Sequence, residues 1–321
     1  MRLRQAIAPA AEKVTVTICA EHPSGRSGKW WLSPFRRTPF RRTAIALVLL
    51  PAGMLLGPAC REGRGDEPAQ FPRQVLRAPR LAAPVTIDGN PADWPAAAPR
   101  ATMALDPDAD QYRGTARVAW DDAFLYVVFE VAAGKPLRNA GGDPATSFKT
   151  GDTVEVYLSV NEKPLADRVA RGPGLDTAKP GDYKILITLL RSARPAVFGL
   201  DFVNPARNQH PQLFQVNGPK TIVDHAAAVP GGAMAVGKAV VGGVAGFVVE
   251  AKLPWRYFRD YRPRPGARLL FNLAINFSNQ AGTANMGKAY WNGPSHMVED
   301  LGIEAQIHPE QWGWLELGDA K

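Results

Sequence analysis

From residue 81 to residue 321 the chain is a series of short segments with alternating polar and apolar residues, separated by glycine and proline. In residues 152–160 every second side chain is apolar, so these side chains face one side of a strand and Glu155 faces the other. The stretches 161–182 and 279–300 lack this pattern and are predicted to be loops. Further strands are predicted at 115–120, 124–132, 183–190, 196–203, 221–229, 233–241, 247–253 and 268–277. Such short strands predict an all-β fold, an immunoglobulin-like antiparallel β-sandwich.

The first 59 residues have the composition of an export signal rather than of a folded domain. Arginine pairs at 36–37 and 41–42 precede an uncharged, largely apolar run at 44–56. That run suits the apolar core of a signal peptide and is shorter than the roughly 20 residues that span a bilayer. Residues 1–59 are therefore predicted to be a signal peptide with a long basic leader, and Cys60 would open the mature chain.

The sequence around Cys60 resembles a lipobox, because an apolar run and three small residues at 57–59 precede it. In a lipobox the cysteine carries a diacylglycerol after cleavage. The alternative is an ordinary cleavage site near Ala59, with Cys60 incidental. The resemblance implies a lipid anchor at Cys60, a polar linker over 60–80, and a place in the cell envelope at the outer membrane or periplasmic face.

The basic charge of the chain belongs mostly to its leader. Residues 1–60 hold nine Lys and Arg and two acidic residues, which leaves 29 basic and 28 acidic residues from 61 onward. A nucleic-acid partner is not expected, because phosphate binding needs a concentrated basic surface. Beyond the leader only Cys60 remains, which excludes a disulfide within the mature chain and a thiolate zinc site.

Motifs of the common hydrolytic enzymes are absent from the sequence. There is no G-x-S-x-G elbow, no P-loop and no zinc helix of the H-E-x-x-H type. Asp152 and Glu155 are three residues apart on a predicted strand, so they point to opposite faces and cannot flank one glycosidic bond. The chain is predicted not to be an enzyme. If it has any activity, that activity is expected to be associated with the hydrolysis of O-glycosyl compounds.

One group of carboxylates has the spacing of a metal site. Asp106, Asp108 and Asp110 alternate in a predicted loop, and carboxylates at that spacing can ligate calcium. The rest of the EF-hand pattern is missing, so a solvated acidic loop is the alternative. No histidine pair has metal-ligand spacing. The sequence predicts no cofactor, with calcium as the single candidate ion.

Six segments in order resemble family 9 carbohydrate-binding modules, which belong to the wider DOMON-like group of sandwiches. They are VTIDGNPADW (85–94), VAWDDAFLYV (118–127), GDTVEVYL (151–158), VEAKLPW (249–255), FNLAIN (271–276) and GWLEL (313–317). The resemblance covers about residues 84–317 and implies the sandwich fold and a glycan or oligosaccharide partner. Trp94 and Trp120 are expected to lie in its core.

The resemblance also implies a sugar site. Trp291 stands where the family has a ring from a late loop, and Phe148 lies beside the position of a second ring. Glu155 and Lys184 match residues that contact sugar hydroxyls, and Asn276 is a further candidate. Because a charged side chain is costly to bury, the face with Glu155 is expected to be exposed or to line a cleft. The alternative for Trp291 is a lid over the core.

These observations predict a non-catalytic, carbohydrate-binding lipoprotein of the cell envelope that assists polysaccharide catabolism by holding glycans near enzymes. Two alternatives remain open. Some DOMON-like domains bind haem b for electron transfer, and Met286, His296 and Met297 are candidate iron ligands near the late loop. The other alternative is a structural envelope module that binds no ligand.

Overall fold

A computed structural model of the chain describes residues 72–144, 147–166, 179–202, 212–214, 221–293, 296–297 and 309–320. The described residues all lie within the compact unit Gly63–Lys321. Cys60 and the predicted signal peptide lie outside them. No helix in this described part is long and apolar enough to cross a membrane.

The described part is a curled β-sheet with very little helix. One helix, α1 (Ser147–Thr150), and three 3₁₀ turns (Pro91–Asp93, Trp255–Tyr257 and Pro309–Gln311) accompany the strands. The strands are β1 (Val75–Arg80), β2 (Arg100–Ala104), β3 (Arg113–Trp120), β4 (Phe124–Ala132), β5 (Thr153–Ser159), β6 (Asp182–Leu190), β7 (Arg194–Phe202), β8 (Gln212–Phe214), β9 (Thr221–Ala228), β10 (Ala233–Val241), β11 (Val244–Pro254), β12 (Arg268–Ser278), β13 (Asn285–Tyr290), β14 (His296–Met297) and β15 (Gly313–Ala320).

Hydrogen-bonded neighbours follow the order β10-β11-β4-β3-β1-β15-β12-β5-β6-β7-β9-β8, while β2 pairs with β3, and β13 joins β12 to β14. The two ends of this order approach each other, since the Ala196 amide of β7 lies 3.2 Å from the Met234 sulfur of β10. The sheet therefore curls around one core, and the prediction of an all-β sandwich is confirmed. The sheet is mixed rather than purely antiparallel, because β1 runs parallel to both of its neighbours.

The main core lies inside the curl and takes one face of each central strand. Val127 and Phe129 of β4 meet Val154 and Val156 of β5 across it, and Trp120 is fully buried there. Period-two alternation produces this arrangement, since every second side chain of a strand points inward. The prediction that Trp94 and Trp120 are buried is confirmed, although Trp94 packs on the outer face of the sheet rather than in the main core.

Strands also form in two stretches to which the sequence analysis gave another assignment. Residues 75–80, assigned above to the linker, form β1, which joins the two halves of the sheet. Residues 285–290, assigned to a loop, form β13. Leu76 and Ala78 alternate with more exposed neighbours, so β1 does have a strand pattern, but one too short to stand out in a polar stretch.

The outer face of one half of the sheet is covered by the segment around Gly89. Glu250 of β11 is fully buried there and accepts hydrogen bonds from the Trp94 indole (2.6 Å) and from the amides of Gly89 (2.7 Å) and Asp88 (3.1 Å). Three neutral donors thus satisfy one buried carboxylate, which holds the segment against β10 and β11.

Gly89 is required at this contact, and its replacement should be destabilising. Its φ is +86°, and an added Cβ would lie 2.7 Å from the Val236 carbonyl carbon. We expect Gly89→Ala to lower the free energy of unfolding by more than the roughly 1–3 kcal/mol typical of a left-handed backbone alone. Gly243→Ala is the matched control, because its φ is +83° and its added Cβ would meet no atom within 4 Å. Urea unfolding of both variants measures the difference; equal losses would contradict the close approach.

Candidate functional site

The register of four neighbouring strands brings the predicted polar residues to one face of the sheet. Glu155 of β5 stands opposite Ala274 of β12 and Leu186 of β6. Side chains opposite each other on paired strands share a face, and so do side chains two residues apart. The outer face of β13, β12, β5 and β6 therefore carries Tyr157, Lys184, Asn276 and Lys288 beside Glu155. These five residues are the Glu155 cluster.

Glu155 is the centre of the cluster: it accepts hydrogen bonds from Asn276 and Tyr157 and forms ion pairs with Lys184 and Lys288. Lys184 Nζ lies 3.1 Å and Asn276 Nδ2 lies 2.6 Å from its Oε1. Lys288 Nζ lies 2.6 Å from Oε2, to which the Tyr157 hydroxyl also donates. Glu155, Asn276 and Lys288 are fully buried, and Lys184 is 2% exposed. The carboxylate is thus held by two cations, an amide and a phenol in a site away from water.

Aromatic rings enclose the cluster. Phe148 of α1 packs with Tyr157 and Trp312 in an apolar group on this outer face, and Tyr290 joins it. Lys184 Nζ lies 4.6 Å from the centre of the Phe148 ring, and Lys288 Nζ lies 5.3 Å from that of Tyr290. A cation over a ring face is attracted by the ring quadrupole. Both ammonium groups therefore contact a carboxylate and an aromatic face.

The electrostatics of the cluster keep Glu155 ionised. Burial by itself raises a carboxyl pKa, but the ammonium groups of Lys184 and Lys288 outweigh it and lower the pKa of Glu155 to about 2. Burial and the negative charge of Glu155 raise the pKa of Tyr157 well above its usual value. Tyr157 is therefore a neutral donor, and Glu155 is an acceptor at every physiological pH.

Four of the five predicted sugar contacts come together here, and the fifth does not. Phe148, Glu155, Lys184 and Asn276 form or line the cluster. Trp291 turns inward after β13 into the main core, where its ring meets Phe271 edge-on with centroids 6.3 Å apart. The structure thus places Trp291 as a lid over the core, the alternative given above.

The expectation that this face is exposed or lines a cleft is wrong. Glu155 is completely buried, because Phe148 and Trp312 cover it. Both rings come from distant parts of the chain, so the pattern of β5 alone does not show the cover. Lys288, Tyr290 and Trp312 were not predicted either, since the first two lie in a stretch assigned to a loop. Lys288 and Tyr290 are two residues apart, and this strand-like spacing was the sequence signal that could have placed both on one face.

The other candidate residues lie apart from the cluster. Asp152 is buried and contacts Lys135 and Ser278. The partners of Glu155 lie on the outer face of the sheet, so the two carboxylates point to opposite faces, as their spacing predicted. Asp106, Asp108 and Asp110 are all exposed, and among the described residues no three His, Cys, Asp or Glu side chains are placed to hold a metal ion.

The haem candidates are described only in part. Met286 is half-buried and packs against the main core. His296 and Met297 form β14, which pairs with β13, and their side chains lie outside the described residues. Haem binding stays a prediction from the sequence.

The low pKa of Glu155 predicts an acid-sensitive contribution to stability. Its pKa is about 2 in the folded chain and 4.5 ordinarily, so the ionised form stabilises the fold above about pH 4.5, and this is lost as the pH falls towards 2. Glu155→Gln leaves two buried ammonium groups without their carboxylate and should cost about 3–5 kcal/mol at pH 7.

The difference in unfolding free energy between parent and Glu155→Gln should therefore narrow between pH 5 and pH 2, as urea titrations would measure. Glu316→Gln is the control, because its partner Arg77 is largely exposed and such pairs contribute at most about 1 kcal/mol. If the difference in unfolding free energy between the parent and Glu155→Gln stayed constant with pH, it would contradict the low pKa of Glu155.

No protein-family model matches the chain, and no curated protein matches it. Solved structures with a similar fold include a family 9 carbohydrate-binding module from Caldicellulosiruptor kristjanssonii in complex with cellotriose. That match has 17% identity and a TM-score of 0.46, and covers 77% of this chain and 95% of the module. A complex of a family 9 module from the same organism with glucose matches at 16% identity and a TM-score of 0.43, covering 77% of this chain and 97% of the module.

Proposed function

We propose that the chain binds a carbohydrate at the Glu155 cluster and catalyses no reaction there. The observation that carries this proposal is the composition of the cluster. A buried carboxylate, two ammonium groups and an amide project from one face of β13, β12, β5 and β6, between aromatic rings. The main core contributes none of these groups.

The cluster has the chemistry that a sugar needs. Each hydroxyl can donate and accept, and Glu155 supplies acceptors while Lys184, Lys288 and Asn276 supply donors. The CH faces of a pyranose ring pack on flat aromatic side chains, which Phe148 and Tyr157 provide. A small set of charged groups between rings can therefore orient a sugar and also bury its apolar face.

Stability alone does not account for the cluster. Buried ion pairs contribute little net free energy, because desolvation of the charges offsets their attraction, and apolar replacements of equal volume are often as stable. The second buried carboxylate, Glu250, has neutral donors and no such cations among its described hydrogen-bond partners. The two lysines around Glu155 therefore support a role of the cluster in ligand recognition.

Access to the cluster requires a movement of Phe148. Its ring is 3% exposed and lies over Lys184, on a helix of only four residues. When a sugar displaces the Phe148 ring, hydroxyl groups of the sugar replace the ring as the partner of the Lys184 ammonium group. Binding is then coupled to a shift of α1.

Catalysis is not part of the proposal. A general acid for glycoside cleavage must carry a proton near neutral pH, and Glu155, whose pKa is about 2, does not. Asp152 lies on the opposite face with its own partners, Lys135 and Ser278. No second carboxylate of the described cluster flanks the space that a sugar would occupy.

A structural module without a ligand is the second candidate, and the complete burial of Glu155 favours it. In that case the cluster only joins Phe148 and Trp312 to the sheet. The two candidates differ in whether any glycan binds with an affinity that depends on the cluster.

Replacement of Lys184 tests the carbohydrate site. A glycan array identifies the bound oligosaccharide, and calorimetry then compares the parent with Lys184→Gln. Loss of a charged hydrogen bond should weaken binding by about tenfold or more. Lys238→Gln is the control, because Lys238 is exposed on β10. An array without any bound glycan, or equal affinities of parent and Lys184→Gln, would favour the structural module.

The location of the protein is a proposal from sequence alone. We propose that Cys60 carries a lipid that anchors the domain in the cell envelope, at the outer membrane or periplasmic face, where it holds glycans near degrading enzymes. The position of Cys60 after an apolar run supports this. One acyl chain binds a membrane only marginally, so a stable anchor needs more than one chain.

Cys60→Ala should therefore abolish membrane association. The measurement is the share of the protein that sediments with membranes after salt and carbonate washes, compared between parent and variant. Cys19→Ala is the control, because Cys19 lies within the predicted signal peptide. Retention of the Cys60→Ala protein in the washed membranes would overturn the lipid anchor.

A further inference from the structure

A second candidate site lies at the end of the sandwich, away from the Glu155 cluster. A groove of about 730 Å³ runs between the β3–β4 turn and the segment after β11. Its apolar walls are Phe124, Pro254, Tyr261 and Pro263, and Arg256 and Arg262 stand among them. Pockets of several hundred Å³ with apolar walls and a few charged groups are typical of small-ligand sites.

The segment beside the groove is strongly basic. Residues 255–268 contain five arginines and one acidic residue, Asp260. Within the described residues Arg256, Arg259, Arg262 and Arg264 form no ion pair, whereas Asp122, the other carboxylate of the groove, is paired with Arg80 at 2.6 Å. Lys252 adds a cation 5.0 Å from the Phe124 ring. Among the described residues, these four arginines therefore have no carboxylate within ion-pair distance.

The backbone holds this segment in a strained conformation. Arg259 and Asp260 are consecutive residues with φ of 54° and 52°, a region that disfavours residues other than glycine. Such strain persists only where the surroundings enforce it, and it concentrates at functional sites. Here Trp255 packs edge-on against Phe258 and within 5.5 Å of Tyr261. The packing fixes the loop so that Tyr261 and Arg262 line the groove.

We propose that this groove binds an acidic saccharide, a glycan whose sugars carry carboxylates. Guanidinium groups bind carboxylates through paired, charge-assisted hydrogen bonds, which Arg256 and Arg262 can donate. The ring of Tyr261 and the neighbouring prolines offer apolar surface to the CH faces of the sugar. Asp260 accepts from a sugar hydroxyl. The groove thus combines the polar and apolar contacts of a saccharide site with an excess of cations.

The groove lies at the far end of β1 from the start of that strand. The groove adjoins the end of β1 at Arg80, which is paired with Asp122, whereas the chain enters the domain at Val75. Six residues of strand separate these ends by roughly 17–20 Å. The groove shares no residue with the Glu155 cluster, so this inference does not depend on sugar binding there.

The test compares a trimer of galacturonic acid with its methyl-esterified, uncharged form. Calorimetry at low salt should show binding of the acid and little binding of the ester. The double variant Arg256→Gln and Arg262→Gln should weaken binding of the acid by about tenfold or more. The matched control is Arg191→Gln with Arg194→Gln, which removes the same charge from the exposed β6–β7 turn. Binding of the acid should also weaken as salt is raised, because exposed charges are screened.

Three outcomes would overturn the proposal. These are no binding of the acid, equal binding of acid and ester, and equal loss of affinity in the two double variants. Vesicles with anionic phospholipid headgroups form a further arm. Binding of vesicles that needs Arg256 and Arg262, without binding of the trimer, would assign the groove to a membrane surface.

Discussion

The curl of the sheet around a single core is the constraint on which the other features depend. One face of each central strand is used by that core, so the opposite face must be covered by something else or be left to water. In one half the cover is the segment around Gly89 and Trp94, held by Glu250. In the other half it is Phe148 and Trp312, over Glu155. Each cover encloses one carboxylate, which ties it to the strand beneath.

The two carboxylates are satisfied in different ways. Glu250 takes hydrogen-bond donors that carry no charge, two amides and an indole. Glu155 is compensated by two ammonium groups that also contact aromatic rings. Charges held in this way have large hydration energies that a polar ligand can recover. The hydrogen bonds of Glu250 join the segment around Gly89 to β11. The partners of Glu155 are groups that can also bond to a polar ligand.

Much of the fold could be predicted from period-two alternation, since a strand with one buried face shows it directly. β4, β10 and nearly all of β12 occupy the predicted residues, because each has a long alternating or continuous apolar run. Other strands, β1 and β13 among them, were not predicted, since their apolar pattern is short and their burial comes from neighbours distant in sequence. The same limit applies to the site. The alternation in β5 correctly predicted that Glu155 points away from the main core. It could not predict that Phe148 and Trp312 cover that face, because both come from distant parts of the chain.

Trp291 shows how tertiary packing decides which way a side chain points. It follows β13 directly, and a tryptophan after a strand can turn either outward or inward. Here Asn292 decides, because its side chain accepts from the Gln74 amide at 2.8 Å and its amide donates to Asn272 at 3.0 Å. These bonds draw the loop across the end of β1 and leave the Trp291 ring inside. No local pattern of the residues around 291 contains that information.

The parallel pairing of β1 with β15 has a mechanical consequence. Gln74, just before β1, is bonded to Trp291, Asn292 and Trp314, and Val75 to Ala78 then pair in continuous register with β15. A pull on the chain before Gln74 acts along the axis of β1, so it loads these backbone bonds together in shear rather than one after another. A strand loaded in shear resists extension far better than one that is peeled from an edge. A pull that reaches the domain through Gln74 thus meets a strand with neighbours on both sides.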